Sequence, residues 1–125
     1  MDFAMPESVN ILGNRYTIEV KKIEDDYKLS TGPNGYCDSY GKKIVIADLS
    51  DASHYPCASR DKKLRDERYK HTLRHEIVHG FFYESGLGSA AKMENTTWVD
   101  NETLVDFLAI QGPKLYAIWD QLGIL

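Results

Sequence analysis

LRHEIVHGFFYESG, running from Leu73 to Gly86, is the stretch on which the reading of the chain turns. Leu73, Ile77 and Phe81 fall four apart, with Leu64 a few turns earlier, so apolar residues recur as one face of a helix requires. Between Ala58 and Ser85 there is no proline, and Gly80 is the only glycine. Ser85-Gly86 supplies a stop, because glycine readily takes the left-handed conformation that ends helices. The spacing predicts one long helix over most of 58–85.

Toward the N-terminus the period changes from helical to alternating. Val9 and Ile11, then Tyr16, Ile18 and Val20, alternate with polar residues, and Gly13-Asn14 between the runs marks a two-residue hairpin turn. Thr31–Gly35 is a turn cluster. Tyr36–Tyr40, Gly41 and Lys43–Ala47 read as a second hairpin or one bulged strand. The run Ile44–Ala47 is continuously apolar, as in a strand covered on both faces. Toward the C-terminus a second helix is expected over Asn101–Gln111, with Leu104, Val105, Leu108 and Ala109 as its apolar face. Gly112-Pro113 should break it, and a short third helix, Lys114–Gln121, should turn Leu115, Ile118 and Trp119 inward. Strands first and helices after predict an α+β fold, with a short antiparallel sheet packed on the long helix.

The 125 residues suit a single domain spanning 1–125, long enough to bury a core. No stretch of 18 apolar residues suggests a membrane span, and the first ten residues lack an apolar signal core, so a cytoplasmic protein is expected. Cys37 and Cys57 do not make a disulfide framework. Net charge is −4. The basic residues of Arg60–Arg74 are interrupted by Asp61, Asp66 and Glu67, a solvated helix face that argues against a nucleic-acid partner.

His75 and His79 share one helix face, about 5–6 Å apart at Cβ, so both imidazoles can reach one ion. Glu76 lies one step around the helix, displaced from the ion but able to accept the proton of a water attacking a carbonyl. His-Glu-x-x-His is therefore three roles at one spacing, the signature of zinc metalloproteases. The bland reading is a surface helix with solvated histidines.

A catalytic zinc site needs a third protein ligand and an open position. The candidates are Glu84, Glu94, Asp100, Glu102, Asp106, His54 and His71. His71 extends the stripe, but His71 and His79 are separated by about 12 Å of helix rise, so one ion does not accept all three histidines. Glu84 points away on the same helix. Glu102 and Asp106 lie four apart on one face of the second helix. They are either an exposed acidic stripe near a helix N-terminus or a ligand and its support. In the second case Glu102 ligates zinc, and Asp106 accepts the free N–H of a ligating histidine and fixes its tautomer.

His75-Glu76-x-x-His79 followed by Asn101-Glu102-x-x-x-Asp106 resembles the gluzincin pattern of thermolysin-like peptidases. The resemblance implies that Glu102 is the third zinc ligand and that Asp106 supports His75. The interval from His79 to Glu102 is slightly longer than in thermolysin, which is a far larger protein. Over most of its length the chain is similar to small phage and prophage proteins of Gram-positive bacteria described as metallopeptidases and related to the ImmA/IrrE group of minimal zincins. The matching stretches are Asn10–Gly13 with Tyr16–Ile18, Gly35–Asp38, Leu73–His79 with Tyr83–Gly86, and Trp98–Leu108 with Gln111–Lys114. That likeness implies a minimal zincin-like domain. ImmA/IrrE proteins cleave repressors, which implies a protein substrate and a regulatory setting in the bacterial host cell.

Tyr36, Tyr40, Tyr83, His54 and Arg74 are each able to donate to a developing oxyanion, and the sequence does not rank them. Cys37 is a small buried hydrophobe or a thiol near the metal. Trp98 and Trp119 are packing residues. The strand around Tyr40–Asp48 is expected to line the cleft, where an extended substrate adds to its edge. The expectation is a zinc metallopeptidase: His75, His79 and Glu102 bind Zn²⁺, Glu76 is general base and Asp106 orients His75. The alternative is a non-catalytic zinc-containing binding or regulatory module of a phage or prophage.

Overall fold

Strand β1 (Ser8–Ile11) and strand β2 (Asn14–Lys21) form an antiparallel hairpin in which Ile11 pairs with Asn14. In this computed structural model, which describes residues 3–87, 92–93, 96–97 and 101–125, the turn residues are Leu12 and Gly13. Their φ angles are 49° and 92°, the double positive φ that a tight hairpin turn demands. The turn thus sits one residue earlier than Gly13-Asn14, and Asn14 opens β2. Asn10 Oδ1 accepts the Gly13 N–H at 2.9 Å and closes it.

After a 3-10 turn (Ile23–Asp25), Asp26 caps the short helix α1 (Tyr27–Ser30) by accepting the Leu29 N–H. Strands β3 (Gly35–Asp38) and β4 (Lys43–Ala47) follow as an antiparallel hairpin. The strand order is β1-β2-β4-β3, and β4 runs parallel to β2. The sheet is therefore mixed rather than antiparallel. The connection through α1 carries the chain past the β4 position, so β3 becomes an edge and β4 inserts between β2 and β3. The apolar run of β4 is covered on both faces, as expected. Ile44 and Ile46 join Ile11, Tyr16, Ile18 and Leu73 beneath the long helix, while Val45 and Ala47 pack with Leu29 on the other side.

That helix, α2, spans Lys62–Glu84. Asp61 caps it by accepting the Leu64 N–H at 3.1 Å, and Gly86 follows its end at φ 84°. It lies close on the sheet: a Cβ on Gly80 would stand 2.6 Å from Ile11 Cδ1. Leu73 is buried, whereas Leu64 and Phe81, expected on the core face, are more than a third exposed.

Strands β5 (Lys92–Met93) and β6 (Thr96–Thr97) form a small antiparallel pair. Helix α3 then runs unbroken from Glu102 to Leu122, capped by Asn101, which accepts from Thr103 and Leu104 N–H. The expected break at Gly112-Pro113 does not occur. Proline at 113 removes the donor that would serve the Ala109 carbonyl, and Arg74 Nε on α2 donates to that oxygen instead at 2.7 Å. Val105 and Ala109 bury the first half of α3. Its second half stands clear: Ile118 and Trp119, expected to face inward, are about half exposed. No helix among the described residues is long and apolar enough to cross a membrane.

Candidate metal centre

Two helices supply the site. On α2, the four-residue spacing brings the rings of His75 and His79 to 5.0 Å between centroids, edge to face. The first turns of α3 face them. Glu102 Oε2 lies 2.8 Å from His75 Nε2, and Glu102 Oε1 lies 3.0 Å from His79 Nε2. On its other side His75 presents Nδ1 to Asp106 Oδ1 at 2.8 Å, the placement of a donated N–H. The same oxygen is 3.2 Å from His71 Nε2. The structure thus brings His75, His79, Glu102 and Asp106 together and adds His71 behind Asp106.

Glu76 is the buried charged residue of the described chain, only 5% exposed. Burial pushes its carboxyl up to about 7, reinforced by Glu102 and opposed by His75 and Lys28. For His75, burial works against the charged ring. The Asp106 hydrogen bond and the carboxylates of Glu76, Glu102 and Asp106 outweigh it, so the ring titrates above its ordinary value. Asp106 is held below the usual carboxylate range, first by its hydrogen bond to His75.

The arrangement suits a cation. Two imidazole Nε2 atoms converge on the two oxygens of one carboxylate, and ligand atoms of His75, Glu76 and His79 lie within 4.8 Å of one another. Each ring can donate its Nε2–H to its own oxygen of Glu102, and a single divalent ion can instead take both nitrogens and the carboxylate together. Two histidines and a glutamate make the donor set of a catalytic zinc site.

These residues line a cavity of about 600 Å³, walled on one side by β3 through Gly35, Tyr36 and Cys37. The expected cleft strand Tyr40–Asp48 is displaced: β4 is interior, hydrogen-bonded on both sides, and among the described residues of the sheet it is β3 that has an outer edge at the cavity. Tyr36 and Tyr83 line the cavity, and Tyr83 stacks on His79 at 6.3 Å between centroids. Tyr40 is fully exposed on the β3–β4 turn, and Arg74 is committed to Ala109. Glu84 faces away, bound by Asn14, Tyr16 and Lys42. His54 is engaged by Asp51 at 2.9 Å, in an exposed loop. Burial, with the Glu76 charge next in size, pushes the Cys37 thiol up to about 12 and keeps it protonated. Cys57 is exposed. Glu94, Trp98 and Asp100 lie outside the described residues.

Several cavity residues escape a reading of the sequence, among them Lys28, Asn34, Arg68 and Thr72. Arg68 does carry a signal, since it stands two helical turns before His75 on the same stripe. Lys28 carries no such signal, because α1 reaches the cavity only through the crossover. The chain matches no family model, no curated protein and no solved structure.

Proposed function

We propose that this chain is a zinc-dependent metallopeptidase of gluzincin type that cleaves a protein substrate, with a minimal zincin-like domain and a phage or prophage setting in a bacterial cell. The observation that carries the reading is the meeting of Glu102 with the Nε2 atoms of both His75 and His79, at 2.8 and 3.0 Å, beside a buried Glu76.

His75, His79 and Glu102 would hold the zinc. Bound there, zinc supplies a Lewis acid that polarises the scissile carbonyl and acidifies water. Asp106 accepts the Nδ1–H of His75 and so turns the Nε2 lone pair into the site. Glu76 takes the proton of the attacking water and delivers it to the leaving amine. Burial raises its carboxyl in the metal-free site, and a divalent cation held beside it would favour the ionised form that a general base needs. The outer edge of β3, with which no described strand pairs, lies beside the cavity, where an extended peptide can add as a further strand.

The test is metal content and turnover in one set of variants. The parent should carry one zinc per chain and cleave, Glu76→Gln should keep the zinc and lose turnover, and His79→Ala should lose the zinc. Equal cleavage by the parent and Glu76→Gln would refute the mechanism. Zinc binding with no cleavage of any host protein would favour the non-catalytic module.

A further inference from the structure

We propose that Lys28 and Arg68 form a carboxylate-binding subsite in the wall of the cavity, so that the preferred substrate presents a carboxylate a few residues from the scissile bond. The inference rests on the peptidase reading for its register, but the subsite itself stands on binding alone. Both cations line the same cavity as the candidate metal centre. Neither forms a salt bridge among the described residues, although Lys28 is near enough to Glu76 to favour its charged form. Each instead rests on an aromatic ring that is itself tied down.

Lys28 Nζ stands 4.9 Å from the centroid of Tyr36, whose hydroxyl donates to Asp26 at 2.8 Å. Asp26 also caps α1, the helix that carries Lys28, so one carboxylate fixes both the lysine's helix and the ring beneath its head. Arg68 Cζ stands 5.4 Å from the centroid of Tyr55, whose hydroxyl donates to Asn34 Oδ1 at 3.3 Å. A cation held over a ring face still has N–H donors directed away from the ring and toward a ligand. Lys28, Arg68, Asn34 and Tyr36 thus share one cavity with Glu76, Glu102 and Asp106, so cationic donors and the candidate metal centre face the same space. A peptide carboxylate is the anion that fits the reaction proposed here, and the Arg68 fork can take it with two parallel hydrogen bonds.

Arg68 precedes His75 by two helical turns, about 10 Å along α2. An extended peptide advances about 3.3 Å per residue, which puts the recognised carboxylate about three residues from the reacting bond. It can come from an Asp or Glu side chain or from the peptide's own C-terminus, and the two sources predict different products: internal cleavage near an acid, or release of short C-terminal fragments.

The experiment uses zinc-loaded protein and fluorescent peptide sets in which one position at a time is Glu or Gln, each with a free or amidated C-terminus. Cleavage efficiency and, on Glu76→Gln, equilibrium binding are both measured. One position, or the free C-terminus, should favour the carboxylate about tenfold, and that ratio should collapse toward one in Lys28→Ala/Arg68→Ala. Arg68→Glu should turn the preference toward Lys at the same position. If binding prefers neither Glu nor a free C-terminus, or if the preference survives in the double variant, the subsite is overturned. If no peptide is cleaved yet the binding preference depends on Lys28 and Arg68, the peptidase reading fails and the subsite stands.

Discussion

Arg74 on α2 donates its Nε–H to the backbone carbonyl of Ala109 on α3, the one carbonyl that Pro113 deprives of its helical donor. The bond joins the helix that bears both histidines to the helix that bears Glu102 and Asp106. It also explains how proline sits inside a 21-residue helix without ending it.

Removing that donor should therefore matter only while the proline is present. Arg74→Met is expected to cost about 1–2 kcal/mol, the penalty of a part-buried carbonyl left without a partner. In a Pro113→Ala background, where the residue 113 N–H can serve Ala109, the cost should shrink to a few tenths. Urea denaturation of the two single variants and the double variant measures the coupling. Strictly additive costs would show that Arg74 and Pro113 act independently.

Asp106 should govern metal affinity without touching the metal. Asp106→Asn keeps the shape but weakens the anchor of His75 Nδ1–H, and should lower zinc affinity about 10–100-fold. His71, whose contact with the same oxygen is longer at 3.2 Å and whose side chain is 42% exposed, should matter less. Competition with a chromophoric chelator ranks His71→Ala against Asp106→Asn. The proposed roles fail if the two cost the same.

Chelator-treated protein should lose stability as pH rises through neutrality. Glu76 has an ordinary value of 4.5 and a folded value of about 7, so between them the folded state binds more protons than the unfolded state. The stabilisation is fully present below the ordinary value and is lost as pH climbs through the folded one. A shift of that size corresponds to about 3 kcal/mol at most. Melting temperature against pH should slope downward in the parent from about pH 5 to 8 and stay flatter in Glu76→Gln. Parallel slopes would mean that burial does not strain this carboxylate.

The opposite sign applies at Glu84. Its hydrogen bonds from Lys42, Tyr16 and Asn14 hold its carboxyl below the ordinary range, the Lys42 bond contributing most. Its contribution is present above the ordinary carboxylate value and disappears as pH falls through the lowered one. Glu84→Gln should melt lower than the parent at neutral pH, and the two should converge on acidification. This carboxylate ties the C-terminal end of α2 to β2 and the β3–β4 turn, so failure to converge would show that the hydrogen-bond geometry, not the charge, carries the effect.

The parts of this molecule that could be read directly are those whose cause lies within a few residues. The alternation of β1 and β2, the burial of Ile44–Ala47 on both faces, the length of α2 and its glycine stop all follow from short-range period and backbone sterics. The pairing of His75 with His79 belongs to the same class, because the helix repeat alone puts residues four apart on one face. The β1–β2 turn is legible as a turn although it sits one residue before Gly13-Asn14; the register of β1 against β2 imposes a positive φ on Leu12 that its residue type does not announce.

Chain order and local period could not decide which distant groups would meet. The α1 crossover makes the β2–β4 pair parallel and gives β3 the edge beside the cavity, and no local pattern distinguishes that from a simple meander. Proline at 113 forbids a helix by every local rule, yet the helix continues because its missing donor is replaced from another element. Gly80 reads as a weak point in α2 until the sheet is placed 2.6 Å from its absent Cβ. Glu102 and Lys28 reach the cavity of His75 only because α3 and α1 are docked there by buried apolar contacts far from the polar groups themselves. Residue type and spacing determined which chemistry this chain is equipped for; the packing of helices on a mixed sheet, a cooperative property of the whole core, decided which residues share one site.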